Sequence, residues 1–238
     1  MKQLLEKNKK ILIALGLLFL AAAGLTYAYY NSMKDFKNEF RTPKPGVAIH
    51  EIFDPSDYWV PGEEKSKKAL FSNSGESDML LRFKVDIAWD GADSDHPQNA
   101  PENFVTLYWK DSSDRNNDGS PDKPIELSEA SGRDDFDFVL GPDGYYYYKK
   151  VLKAEGSDMS LTQDVLQSVK FSEHLSNDGH ANSNYSNVQI NVTIRGETVL
   201  ASAGGKAAED EWDAVNKVFI GEGDSVMWEF IESDLLNQ

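Results

Sequence analysis

The stretch Met79-Leu80-Leu81-Arg82-Phe83-Lys84-Val85-Asp86-Ile87-Ala88-Trp89 decides the fold. Leu81, Phe83, Val85, Ile87 and Trp89 fall on one parity, and Arg82, Lys84 and Asp86 on the other. A period of two marks a β-strand with one face in a core and the other in solvent. The same alternation returns in Val188, Ile190, Val192 and Ile194 and runs on through Thr198 to Ala201. It recurs in Phe104–Lys110, with Phe104, Thr106 and Tyr108 opposite Val105, Leu107 and Trp109.

The flanking segments extend this pattern. Lys68–Ser72 reads as a strand closed by the loop Asn73-Ser74-Gly75-Glu76-Ser77, and Val47, Ile49 and Ile52-Phe53 as a looser one ended by Asp54-Pro55-Ser56-Asp57. Phe136–Leu140 runs into the turn Gly141-Pro142-Asp143-Gly144, and Tyr145–Leu152 follows with high β propensity. Alternation would put two of the four tyrosines Tyr145–Tyr148 in a core and two outside. Leu161–Phe171 fits a helix or a strand, Gly204–Asn216 reads as a short helix, and Val226–Leu236 is an apolar but acidic tail. Polar loops separate these segments, and no βαβ rhythm connects them. The expectation is an all-β chain: an antiparallel jelly roll or β-sandwich with one or two short helices, a single domain over residues 46–238.

The first residues set the expected compartment. Lys2, Lys7, Lys9 and Lys10 precede an apolar run from Ile11 to Leu25, broken only by Gly16 and Gly24. That run falls short of the ~20 residues a bilayer span needs. Thr26-Tyr27-Ala28 then supplies the small residues a signal peptidase requires, so residues 1–28 read as a signal helix cleaved between Ala28 and Tyr29. An uncleaved anchor would need Thr26–Tyr30 to lengthen the span. Residues 29–45 form an arm in which Met33, Phe36 and Phe40 are apolar.

The whole chain has a formal charge of −16, and loss of residues 1–28, with four Lys and one Glu, leaves 20 basic and 39 acidic residues, or −19. Such a surface repels phosphates and anionic headgroups, which argues against nucleic acid and lipid partners, and it concentrates divalent cations. The chain contains no cysteine, so its core holds without disulfides and cysteine nucleophiles and Cys-ligated metals are excluded.

Several motifs together resemble one family. Lys10-Ile11 through Thr26-Tyr27-Ala28-Tyr29-Tyr30-Asn31 resembles signal peptides handled by the SipW-type peptidase. Asn38-Glu39-Phe40-Arg41-Thr42 leading into Val47-Ala48-Ile49-His50-Glu51 is similar to the first mature strand of the TasA/camelysin-like exported proteins. Trp59-Val60-Pro61-Gly62, Lys68, Ser72-Asn73-Ser74-Gly75, Asp78 and Leu81-Arg82-Phe83 follow that family's order. Asp143–Leu152 and Ile194–Ala201 resemble segments of its BsaA branch, the SipW-dependent biofilm-matrix proteins. The resemblance implies a secreted jelly-roll subunit on the surface or in the extracellular matrix of a Gram-positive bacterium. It also implies polymerisation into fibres, with an N-terminal segment of one copy completing the sheet of the next. Residues 29–45 are the candidate donor.

Asp114-Arg115-Asn116-Asn117-Asp118-Gly119-Ser120-Pro121-Asp122 matches the first nine positions of an EF-type calcium loop. Asp114, Asn116, Asp118, the Ser120 carbonyl and Asp122 would offer the clustered oxygens that Ca²⁺ prefers. The twelfth position is Ile125 rather than Glu, with Glu126 one step late, so a polar hairpin loop rich in Asx turns accounts equally for the segment. His50-Glu51-Ile52-Phe53-Asp54 falls one ligand short of the H-E-x-x-H zinc motif, and His174 and His180 sit in a polar loop. No nucleophile elbow, P-loop or dinucleotide fingerprint occurs. The expectation is no enzyme and no required cofactor beyond calcium, with copies of itself or other matrix and surface proteins as partners. The alternative function is a monomeric surface module that binds calcium, a glycan or a host protein.

Overall fold

The computed structural model describes residues 46–53, 60–90, 103–111, 120, 122–173 and 189–232, and all of these belong to the compact unit Pro43–Gln238. Eleven strands are defined among them: β1 (Val47–Phe53), β2 (Glu64–Asn73), β3 (Met79–Asp90), β4 (Val105–Lys110), β5 (Ile125–Glu126), β6 (Phe138–Leu140), β7 (Tyr146–Tyr148), β8 (Leu166–Phe171), β9 (Gln189–Leu200), β10 (Val215–Ile220) and β11 (Val226–Phe230). Two short helices accompany them, α1 (Leu127–Ala130) and α2 (Lys206–Glu211).

The strands form an antiparallel sandwich. Sheet A has the order β1-β2-β8-β4-β5 and sheet B the order β6-β7-β3-β9, while β10 and β11 make a separate hairpin. β3 and β9 pair along their full length, from Met79 opposite Leu200 to Asp90 opposite Gln189, so the two cleanest alternations in the sequence lie side by side. Their in-facing residues meet sheet A. Leu81 and Phe83 of β3 and Ile194 of β9 join Ala69 and Phe71 of β2, Val105 and Trp109 of β4, and Val169 of β8. The Phe83 ring stacks on Tyr146 and takes Phe138 edge-on, each with centroids 5.0 Å apart, and Phe71 lies 5.7 Å away. Burying one such side chain stabilises the fold by about 1.5–3 kcal/mol.

The opposite face of sheet B departs from expectation. Arg82 is not in open solvent, because α2 and the β10–β11 hairpin lie over this face as a third layer. Leu80 and Tyr147 are fully buried there with Val151, Ala208, Trp212, Val215, Val218 and Val226. The tyrosine run is corrected with it: Tyr146 and Tyr148 enter the inter-sheet core, but Tyr147 is 0% exposed beneath the third layer and Tyr145 is only partly exposed. Alternation separates two faces correctly but says nothing of whether the second is also covered.

Two further ambiguities resolve as strands. The Leu161–Phe171 segment becomes β8 because β2 and β4 flank it and supply ladder partners on both sides. The β2–β8 pairing shifts register between Ser66 and Ala69, and this break in strict alternation accounts for the helix-like apolar spacing. The expected helix over Gly204–Asn216 narrows to α2, which Gly205 enters at φ 92° and which ends where Trp212 turns extended. The apolar part of the acidic tail is β11, with Trp228 Nε1 donating to the Tyr148 carbonyl at 2.8 Å.

Candidate functional site

The entry to β1 is fixed by backbone contact. Ser74 donates to the Gly46 carbonyl through both its N–H and its hydroxyl, each at 2.8 Å. A Cβ on Gly46 would collide with the backbone of Gly75, so only glycine permits the two chains to cross here. β1 then pairs with β2 without a register shift, Val47 opposite Asn73 through Phe53 opposite Lys67.

This register assigns the faces of β1. Val47, Ile49 and Glu51 lie opposite Asn73, Phe71 and Ala69, on the face that β2 buries. Ile49 is nevertheless 37% exposed, whereas Phe71 across from it is 0% exposed. The packing between the sheets explains the contrast. Phe71 reaches Phe83 of β3, and a Cβ on Gly196 of β9 would strike its ring. Trp109 of β4 packs on Phe136, 4.9 Å between centroids, and Tyr146 of β7 donates to the Leu127 carbonyl of α1 at 3.3 Å. β2 therefore lies over β3 and β9, and the β4–β5 end lies over β7 and β6. β1 is the outermost strand of sheet A; its Val47 packs against the inter-sheet core, whereas Ile49 stays exposed.

Here β9 is the last strand of sheet B, and among the described residues it pairs only with β3. The outer edge of β9, which no described strand pairs, and the exposed inner face of β1 lie on the same side of the sandwich and together form a ledge. Ile190 and Val192 of β9, on the face of buried Ile194, are only partly covered beside it. Lys67 shares the inner face of β2 with Ala69 and Phe71, and its ammonium donates to Glu51 of β1 at 3.1 Å. Such a ledge can accept a strand: hydrogen bonds would come from β9 main-chain groups that no described strand pairs, and the inner face of β1 would give an apolar contact on one side.

A network under the third layer ties β9 to β3 and β7. The Arg82 guanidinium, its side chain 11% exposed, donates to Glu197 of β9 from Nε at 2.9 Å and Nη2 at 2.6 Å. Its Nη1 donates to Asp143 and to the Tyr147 hydroxyl, each at 3.0 Å. Tyr147 in turn donates to Asp143 at 2.8 Å, and Tyr145 to Glu197 at 2.7 Å. The cation lies 4.0 Å from the Tyr145 ring centre and 4.8 Å from that of Trp212. Burial opposes charge on both Arg82 and Glu197, yet their hydrogen bonds prevail: the arginine pKa is raised and the carboxylate pKa lowered. Burial pushes the Tyr147 phenol far up. The pair is thus fully ionised at neutral pH.

The expected site residues fare differently. Ala28, Tyr29 and the arm, and Asp114, Asn116 and Asp118 of the acidic loop, lie outside the described residues. Ser120 is exposed and Asp122 half-buried. Among the described residues no group of three His, Asp or Glu side chains could hold a metal. His50 and Glu51 point to opposite faces of β1, which removes the helical geometry a zinc-protease motif needs, and His50 Nε2 lies 2.6 Å from the Ser72 hydroxyl. Asp54, His174 and His180 lie outside the described residues. Sequence reasoning missed the Arg82 network; the run Met79-Leu80-Leu81, apolar on both parities, was its available sign.

No family model matches the chain, and no curated protein matches it. Among the described residues no helix is long and apolar enough to cross a membrane.

Proposed function

We propose that this chain is a secreted structural protein that assembles into extracellular fibres, each copy supplying a strand to the sandwich of the next. The observation that carries this reading is the ledge between the β9 edge that no described strand pairs and the inner face of β1, where Ile49 stays exposed beside a buried core. A strand laid there would satisfy β9 backbone groups and cover Ile49 together. Each such hydrogen bond adds about 0.5–1.5 kcal/mol net, and burial of the arm's apolar residues must add to this to offset the entropy of association.

The donor is segment 29–45 of another copy. It carries Lys34, Lys37, Arg41 and Lys44 against Asp35 and Glu39, a basic segment in an acidic protein, so attraction to a neighbour's body is favoured. The resemblance to SipW-dependent, TasA/camelysin-like matrix proteins of the BsaA type supports the same reading, as does the signal-like segment that ends at Ala28.

Electron microscopy and sedimentation of the secreted chain test the proposal against a Phe36→Asp/Phe40→Asp variant. Fibres from the native chain and none from the variant are expected. Equal fibre formation by both, or monomers from the native chain at every concentration, would overturn it.

A further inference from the structure

We propose that the outer edge of β1 is a second self-association surface, at which two copies pair their β1 strands antiparallel about a two-fold axis at His50. This interface needs no donated arm and does not rest on the fibre reading.

Four observations lead to it. Among the described residues β1 pairs only with β2, and no described strand takes up the main-chain groups of its other edge along Val47–Phe53. Proteins guard such edges with lysine, proline, bulges or inward-pointing charges; Val-Ala-Ile-His-Glu-Ile-Phe contains no lysine or proline, its pairing with β2 has no irregularity, and its one inward charge, Glu51, is neutralised by Lys67. Ile52 is 73% exposed. Finally, the chain bears a formal charge of −16, so most approaches between copies are repulsive, whereas the single carboxylate of β1, Glu51, is matched by Lys67.

Geometry selects β1 over β9 for this contact. β9 ends sheet B on the side where β1 ends sheet A, and Asn191 of β9 already has an interaction partner. β1, as the outermost strand, can meet an identical flank directly. An antiparallel two-fold then fixes the register. Only an axis at His50 pairs the whole strand, with Ala48 opposite Ile52 of the second copy and His50 opposite its counterpart. Each inner-face residue meets an inner-face residue, so the two five-stranded sheets become one continuous sheet. Isologous contacts of this kind are the commonest in homo-oligomers.

The absence of cysteine allows a direct test. Opposed residues of an antiparallel pair have Cα atoms about 4.5–5.5 Å apart, within the ~4.4–6.8 Å that a disulfide spans. In the full chain, His50→Cys under mild oxidation should therefore give covalent dimers in several-fold excess over Thr193→Cys on the β9 edge. In sedimentation velocity the Phe36→Asp/Phe40→Asp chain, in which fibre formation is blocked, should dimerise, and adding Ile52→Lys should return it to monomer with an unchanged circular dichroism spectrum. Cross-linking of His50→Cys no greater than of Thr193→Cys, or a dimer fraction unaltered by Ile52→Lys, would overturn the proposal. Adding Phe36→Asp/Phe40→Asp to His50→Cys separates the two readings: loss of fibres with retained cross-linking supports this interface, and loss of both overturns its independence from the arm.

Discussion

On the side of the sandwich formed by β6 and β7, Phe136, Phe138, Tyr146 and Tyr148 fill the space between the sheets and are all buried. On the side formed by β1 and β9, Ile49 and Glu51 lie on an inner face and stay exposed. The first side is closed by bulky aromatic rings in tilted and edge-to-face contacts, 4.9–5.5 Å between neighbouring centroids. On the second, β1 and β9 end their sheets, and no described strand pairs their outer edges. The contrast separates residues that hold the monomer from residues available to a neighbour, and it predicts that changes on the two sides will be felt in different measurements.

The largest effect is expected under the third layer. Tyr147 touches Trp212, Trp228 and Phe230 with centroids 4.9–5.6 Å away, so Tyr147→Ala should lower unfolding free energy by about 3–5 kcal/mol in urea titration. A loss below about 1 kcal/mol would mean the third layer is not bound as described. Arg82→Ala comes next, at about 2–3 kcal/mol. It leaves Asp143 and Glu197 without their shared cation, but their partial exposure tempers the cost of an unpaired charge.

An alkaline titration probes the closed side without mutation. Burial raises the Tyr146 phenol from 10.0 to about 12 and shifts Tyr147 and Tyr148 upward as well. The unfolded chain loses these protons first, so their contribution is intact below pH 10 and is lost as pH climbs through about 12. For Tyr146 alone that amounts to about 2–3 kcal/mol. Phenolate absorbance should accordingly develop in two stages, exposed tyrosines first and the buried ones only with unfolding; a single stage near pH 10 would contradict the burial. The smallest change in stability is expected on the open side. Ile49→Ser should lower the unfolding free energy from urea titration by less than about 0.5–1 kcal/mol while weakening assembly in sedimentation. A large loss of monomer stability there would show that β1 is closed by its own chain.

Much of the sandwich was legible in the residues. The alternation of Met79–Trp89 and of Val188–Ala201 marks β3 and β9, and Phe104–Lys110 marks β4, because a half-buried strand imposes a period of two. The turn Gly141–Gly144 and the tyrosine run place the β6–β7 hairpin for a similar reason: Gly144 takes φ 80°. Legibility failed where a segment's surroundings override its own pattern. Leu161–Phe171 carries helix-like spacing yet pairs as β8, and Lys67 looks like a surface residue but lies inward against Glu51. The open edge was legible only as a class of feature; that β9 and β1 supply it depends on which strands end each sheet.

Local chemistry therefore determined the secondary structure, the acidic surface and the inward parity of each strand, since these follow from side-chain period and charge along a short stretch. Only the tertiary structure decided that sheet B is covered on both faces, that Arg82 joins β3, β7 and β9 to the third layer, and that β1 and β9 end their sheets on the same side. Those outcomes depend on strand order and on which faces the layers bring together, and residues distant in the chain settle both by packing against each other.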